Sequence, residues 1–139
     1  MLAELRIFEW RGTNRAEQIV TKPSLKAVLA AVRGLDGAAR DDLYLYPRAG
    51  AMNPYLCVGG GAGKYLLSGV LSGDRFPTLI DPSRPELPKQ ALRVGGQVGL
   101  YPLNWVHPVA IALRVVESFW NTGEFGAVEA GAGFVWGEP

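Results

Sequence analysis

Two amphipathic segments, each opened by proline and closed by glycine, place the strongest constraint on what this chain can fold into. The longer segment follows Pro108 and ends at Asn121-Thr122-Gly123, and its apolar residues recur three and four positions apart. These residues are Val109, Ala112, Leu113, Val116, Phe119 and Trp120, and the opposite face carries Arg114, Glu117, Ser118 and Asn121. The spacing predicts a helix that lies on a sheet and keeps one face in water.

The shorter amphipathic segment follows Pro23-Ser24 and ends at Gly34. Proline is favoured near the start of a helix, and glycine suits the position just after its end. One face of the segment carries Leu25, Val28, Leu29 and Val32. The segment is therefore predicted to form a second helix with one buried face.

The rest of the chain has the pattern of short strands separated by turns. Alternating side chains predict a first strand from Leu2 to Trp10. Further strands are expected at 43–46, 55–58, 64–71, 76–80, 92–100 and 134–136, with the glycines 59–61 as a hairpin turn. Residues 81–88 contain three prolines and are predicted to form a surface loop. This order predicts an α+β fold, a single antiparallel-rich sheet packed by two main helices, with residues 1–139 as one domain.

Charge and the scarcity of reactive side chains restrict the function. The chain has 14 Lys and Arg against 13 Asp and Glu, a net charge of +1, whereas nucleic-acid-binding proteins usually carry a basic surface. Cys57 and His107 are the only cysteine and histidine, so disulfides within the chain and multi-cysteine zinc sites are excluded. We expect no enzyme activity, no cofactor, no metal, and no nucleic-acid or membrane partner. With no targeting segment and no long apolar stretch, we expect a cytoplasmic protein.

Three local sequence patterns are candidates for a catalytic or ligand-binding site. Residues 58–65 are similar to a phosphate-binding P-loop, but Val58 replaces its first glycine and Tyr65 replaces its Ser or Thr, which favours a turn. His107 precedes the second helix, where packing or capping is the favoured role because no nucleophile lies beside it in the sequence. Asp41-Asp42 are expected in the turn after the first helix, where they accept hydrogen bonds from backbone N–H groups.

Two loops carry the side chains best suited to recognise a partner. Residues 101–105 place two large aromatic side chains at a proline-containing turn, and Tyr and Trp are enriched at binding hot spots. The alternative interpretation is that Trp105 packs against the core where the helix starts. Residues 74–86 form the other loop and carry charged side chains. The predicted contact residues are Asp74, Arg75, Asp81, Glu86, Tyr101, Asn104 and Trp105.

The chain ends in Ser118-Phe119-Trp120-Asn121-Thr122-Gly123-Glu124, followed by Val135-Trp136. Upstream lie a hairpin pattern at 55–71 and the run Gly99-Leu100-Tyr101-Pro102 before the helix. Together these residues resemble a bacterial immunity-protein family of polymorphic toxin systems, in the branch that includes antidotes to deaminase toxins. The sequence departs from the family at Phe125-Gly126, where members often have Arg-Pro.

The resemblance implies an immunity protein, or antitoxin, that acts in interbacterial competition. Such a protein binds and occludes a cognate secreted toxin and neutralises it in the cytosol, without catalysis or a cofactor. The implied partner is the toxin domain, and the free chain is expected to be a monomer or a homodimer. Two alternatives stay open: a small ligand-binding or homodimeric interaction module, and a small hydrolase that uses His107.

Overall fold

Both helices form where the sequence predicts them. The computed structural model describes residues 2–49, 54–71, 75–126 and 133–138. Helix α1 spans Leu25–Arg33, and its first turn is capped by Ser24, whose Oγ accepts a hydrogen bond from the backbone N–H of Ala27 at 3.1 Å. Helix α2 spans Val109–Thr122 and ends at Gly123, which has a φ of 69°. That left-handed conformation explains why a glycine follows α2. The left-handed conformation expected for Gly34 after α1 is wrong, because Gly34 has a φ of −76° and continues the right-handed turn.

Ten strands make up most of the remaining described chain. The strands are β1 Glu4–Arg11, β2 Asn14–Thr21, β3 Asp42–Tyr46, β4 Tyr55–Gly61, β5 Lys64–Val70, β6 Thr78–Ile80, β7 Gln90–Val94, β8 Gln97–Tyr101, β9 Val106–His107 and β10 Val135–Gly137. Eight of them form one antiparallel sheet in the order β10-β6-β5-β4-β3-β1-β2, with β9 beside β5. Strands β7 and β8 form a hairpin of their own, and a short 3-10 helix spans Leu103–Trp105.

The main core lies between the two helices and one face of the eight-stranded sheet. The buried residues of the sheet and the helices that meet there include Leu5, Leu43, Leu45, Leu56, Val58, Leu67, Leu79, Val28, Val32, Ala112, Val116 and Phe119. Trp120 also ties the helices together, because its Nε1 donates to the carbonyl oxygen of Pro23 at 2.9 Å. The predicted α+β class is confirmed. Among the described residues, neither helix is long and apolar enough to cross a membrane.

The hairpin of β7 and β8 covers part of the opposite face of the sheet. A smaller apolar cluster lies beneath it, formed by Leu66, Leu92 and Val106. Glycines let the two layers approach closely, since a Cβ on Gly59 would lie 2.7 Å from a methyl carbon of Val94. The fold therefore has helices on one face of the sheet and a hairpin on the other.

Three strand predictions differ from the structure. The glycine run belongs to β4, and the turn follows it at Ala62-Gly63. Glycine is needed inside this strand because a Cβ on Gly61 would lie 2.6 Å from the backbone of Leu35. Residues 92–100 contain two strands rather than one, separated by Gly95-Gly96. Strand β2 was not predicted, because as an exposed edge strand it lacks a regular apolar alternation, although it pairs with β1 along its whole length.

Two adjacent carboxylates, Asp41 and Asp42, are fully buried between the sheet and the hairpin. The Oδ2 atom of Asp41 accepts from Arg93 Nε at 3.2 Å and from the backbone N–H of Gly96 at 2.8 Å, and its Oδ1 accepts from Trp10 Nε1 at 3.3 Å. The predicted role of these acids as acceptors of backbone N–H groups is therefore confirmed for Asp41.

The prediction is wrong for the neighbouring acid, Asp42, which is the first residue of β3 rather than part of a turn and is held by side chains of the sheet. Its Oδ2 accepts from the guanidinium of Arg15 and from the hydroxyl of Tyr44, the latter at 2.7 Å. Its Oδ1 has no hydrogen-bond partner among the residues that the structure describes. The two acids thus connect β1, β2 and β3 to the hairpin through ion pairs and hydrogen bonds.

We expect Asp41→Ala to lower the free energy of unfolding by about 2–4 kcal/mol, because Arg93, Trp10 and the Gly96 N–H lose their common acceptor. Urea unfolding followed by circular dichroism measures the change. Glu9→Ala is the control, since Glu9 lies 3.9 Å from Arg40 in an exposed ion pair. Such pairs contribute roughly 0–1 kcal/mol. Equal losses for the two variants would contradict the structural role of Asp41.

Candidate functional site

The structure joins the two loops that the sequence analysis selected. The backbone N–H of Asp81 donates to the carbonyl oxygen of Asn104 at 2.9 Å, and that of Leu103 donates to Glu86 at 2.8 Å. The guanidinium of Arg84 donates to the carbonyl oxygen of Val106. Segments that lie about twenty residues apart in the sequence therefore form one structural unit beside the start of α2.

Four of the predicted contact residues point into this unit or lie half-buried beside it. Asp81 is buried, and its Oδ1 accepts from the N–H and the hydroxyl of Ser83 at 3.0 and 2.6 Å. Asn104 is also buried, and its Oδ1 has no hydrogen-bond partner within the described part of the chain. Tyr101 and Trp105 are half-buried against the smaller apolar cluster. These side chains support the shape of the loops, and their contact with a partner stays a prediction.

The other three predicted residues are spread over different places. Glu86 is exposed on the joined loops. Arg75 lies elsewhere, paired with Glu138 near the C-terminus at 3.1 Å, and both side chains are largely exposed. Asp74 lies outside the described residues. The structure thus places Asp81, Glu86, Tyr101, Asn104 and Trp105 in one region and separates Arg75 from them.

A cleft of about 450 Å³ opens beside the joined loops. Its polar lining comes from Lys64, Asp81, Arg84, Gln90 and His107. Its apolar lining includes Leu103, Val106, Ile111 and Phe134. The cleft is therefore mixed in charge, with two cationic side chains and one carboxylate around an apolar wall.

His107 is almost completely buried in the wall of this cleft. Its Nε2 lies 2.8 Å from the carbonyl oxygen of Leu79, and because a carbonyl only accepts, Nε2 carries the proton. Burial lowers the pKa of His107 below its usual value, while the Leu79 carbonyl and the Asp81 carboxylate act in the opposite direction. The ring is therefore neutral near pH 7 and packs edge-on against Phe134, with centroids 5.6 Å apart.

The single cysteine, Cys57, is a buried thiol. Cys57 lies on the face of the sheet opposite the helices, and burial raises the pKa of its thiol to about 12. Because the thiolate is the nucleophilic form, Cys57 is a poor nucleophile at neutral pH. The same face carries Tyr44, whose pKa is also raised by burial.

Exposed apolar side chains concentrate on the hairpin and the loop before it. Among the described residues, six large hydrophobic side chains are exposed, and three of them are Leu87, Val98 and Leu100, at 66%, 71% and 68%. We call residues 82–89 together with β7 and β8 the hairpin surface. The sequence did contain a signal for it. Val98 and Leu100 lie two positions apart in a strand, so both side chains fall on the same face.

A second set of large side chains lies on the sheet face opposite the helices, next to the hairpin. Phe8, Tyr44, Tyr46 and Tyr55 form a chain of ring contacts with centroids 5.4–5.7 Å apart. The guanidinium of Arg15 stacks 3.7 Å from the centroid of the Phe8 ring. These side chains are half-buried against one another, so they present less free apolar surface than the hairpin does.

Neither metal chemistry nor similarity to other proteins assigns a function to this site. In the part of the chain that the structure describes, no group of three or more His, Cys, Asp and Glu side chains is placed to hold a metal ion. Comparison of the sequence and the structure with family models, curated proteins and solved structures finds no match. The hairpin surface and the cleft are therefore the two features of the described chain that bear on its function.

We expect acid to destabilise the protein partly through His107. Because its pKa in the folded chain is lowered, the unfolded chain binds a proton more readily below about pH 6.5, and the free energy of unfolding falls as the pH drops through that window. Urea unfolding at about pH 7 and about pH 5 measures this slope.

The variant His107→Gln keeps an N–H donor for Leu79 and removes the titrating ring. Its free energy of unfolding should depend less on pH than that of the wild type. The same slope in both proteins would show that other groups account for the acid sensitivity.

Proposed function

We propose that this chain is an immunity protein, a binding protein that attaches to a cognate secreted bacterial toxin and occludes it. The family resemblance of residues 107–136 suggested this role. The observation that carries the proposal is the concentration of exposed apolar side chains on the hairpin surface, at Leu87, Val98 and Leu100. Contiguous apolar side chains on a protein surface commonly mark an interaction site.

Rigidity of the hairpin surface also supports a binding role. The loop is held by backbone hydrogen bonds to the segment before α2, and the hairpin is held by Asp41 through Gly96 and Arg93. A surface that is already in its binding conformation loses little conformational entropy when a partner docks. Such preorganisation favours the slow dissociation that neutralising a toxin requires.

The charges on the hairpin surface are suited to a partner whose contact surface has a net charge close to zero. Exposed Glu86 and Lys89 carry opposite charges, and the half-exposed Arg93 is already paired with Asp41. The half-buried Arg84 is turned toward the protein, where it donates to the carbonyl oxygen of Val106. The whole chain has a net charge of +1. We therefore expect a near-neutral surface on the toxin, recognised mainly through apolar contact and local hydrogen bonds.

The test uses the product of the reading frame next to the gene for this chain, expressed as its isolated C-terminal domain. Co-expression of this chain should rescue cells from that domain, and the purified proteins should form a stable complex. Failure of the wild-type chain both to protect and to bind would contradict the proposal. Binding is measured by calorimetry or surface plasmon resonance.

Val98→Arg should weaken that complex by about 1–3 kcal/mol, because a charged side chain replaces an apolar contact at the centre of the hairpin surface. Ile19→Arg is the matched control, because Ile19 is a comparably exposed aliphatic residue, at 49%, on the distant edge strand β2. It should bind like the wild type. If both variants bind equally well, the hairpin surface is not the contact region.

One observation favours a second candidate function, a small hydrolase. The cleft gathers His107 and Asp81 in one wall, as a catalytic pocket would. A hydrolase predicts turnover of an ester or amide substrate that is lost in His107→Gln while the circular dichroism spectrum is unchanged. The immunity proposal predicts no turnover by either protein.

A further inference from the structure

Strand β8 presents a free backbone edge at the same residues that expose their side chains. The hairpin turn consists of Gly95-Gly96, both with positive φ, and Val94 pairs with Gln97 across it. Hydrogen-bonded pairs alternate along an antiparallel ladder, so Gly99 bonds to Leu92 while the N–H and C=O groups of Val98 and Leu100 point away from β7. No strand of the described chain pairs with that edge.

This edge lacks the features that usually prevent a sheet from pairing with another chain. Natural edge strands are commonly very short or carry charged side chains, proline or a bulge. Strand β8, Gln97–Tyr101, has five residues and none of these features. By contrast, the edge strand β2 carries Arg15 and Glu17, and the edge strand β10 has three residues. Strand β8 is therefore the described edge most open to strand addition.

The side chains of the same strand would strengthen such pairing. Val98 and Leu100 lie on one face of the hairpin and are 71% and 68% exposed. A strand placed beside β8 would bring its own alternate side chains against them, with Cβ atoms about 4.5–5.5 Å apart. Apolar side chains at those alternate positions would remove both residues from water.

The size of the strand decides between a second copy of the chain and a larger partner. A two-fold axis at Gly99 would pair Val98 with Leu100 of a second copy, but only five residues of each β8 would meet. Stable interfaces involve about 20–30 residues from each protein. A partner that adds one strand to β8 and also covers Leu87 and the joined loops would reach that size.

We propose that an extended strand of the toxin adds to the free edge of β8, with hydrogen bonds to the backbones of Val98 and Leu100. The strand carries apolar side chains at the alternate positions that face these two residues. This inference rests on the proposed function and specifies how the partner is held. Main-chain pairing would supply affinity, and the alternate apolar side chains would supply specificity.

The test compares proline with alanine at one position. Leu100→Pro removes an N–H that points to the free edge and that the hairpin does not use, whereas Leu100→Ala removes only the side chain. Ile19→Pro is the matched control, because Ile19 lies on the distant edge strand β2 and its N–H points away from β1. Binding is measured against the same isolated toxin domain.

We expect Leu100→Pro to weaken binding at least about tenfold more than Leu100→Ala, and Ile19→Pro to bind like the wild type. Equal affinity of Leu100→Pro and Leu100→Ala would overturn strand addition and leave the proposed function standing. A wild-type chain that does not bind the toxin domain overturns the proposed function itself, and this inference with it.

A measurement on the wild-type chain covers the case in which a proline variant does not fold. Amide hydrogen exchange followed by NMR should show fast exchange at Val98 and Leu100 in the free chain and protection in the complex, while Gly99 is protected in both. Exchange that stays fast at both residues in the complex would overturn the proposal. A β8-dependent dimer of the free chain, seen by sedimentation and lost in Leu100→Pro, would identify a second copy as the occupant and also overturn it.

Discussion

The burial of Asp41 and Asp42 is the interaction on which the arrangement of the other parts depends. Burying two adjacent carboxylates away from water would cost a large free energy unless cations and hydrogen-bond donors surrounded them. Arg15 and Tyr44 meet that requirement for one acid, and Arg93, Trp10 and the Gly96 N–H meet it for the other. Because two of these groups belong to the hairpin, satisfying the acids also determines where the hairpin sits.

Close packing between the layers reinforces that position. Gly96 has a positive φ, and a Cβ there would lie 2.5 Å from the indole ring of Trp10. Gly59 likewise leaves room for Val94 on the other side of the hairpin. Small residues at these two points let the hairpin rest directly on the sheet. The exposed side of β8 is consequently held in a fixed position relative to the sheet.

The structure divides exposed and packed side chains around the two loops in a way that residue types alone do not reveal. Tyr101 and Trp105 have the composition of binding residues, yet they lie half-buried against Leu66 and Leu92. Leu87, Val98 and Leu100 are ordinary core residue types, yet they are the exposed ones. Sequence reasoning selected two loops that the structure joins by hydrogen bonds. It did not predict that Leu87, Val98 and Leu100 are the exposed side chains there.

The sequence by itself determined the two helices, the left-handed glycine that ends α2 and the α+β class, because helix periodicity and capping depend on residues three and four positions apart. It also located most of the strands. Only the tertiary structure decided that the glycines 59–61 extend a strand, that Asp41-Asp42 are buried, and that β8 keeps one edge free. Each of these features depends on which distant segment lies alongside, such as Leu35 beside Gly61 or the hairpin above Asp41. Strand pairing and the burial of charged groups depend on residues that are close in space but distant in the sequence, so a local sequence pattern does not specify them.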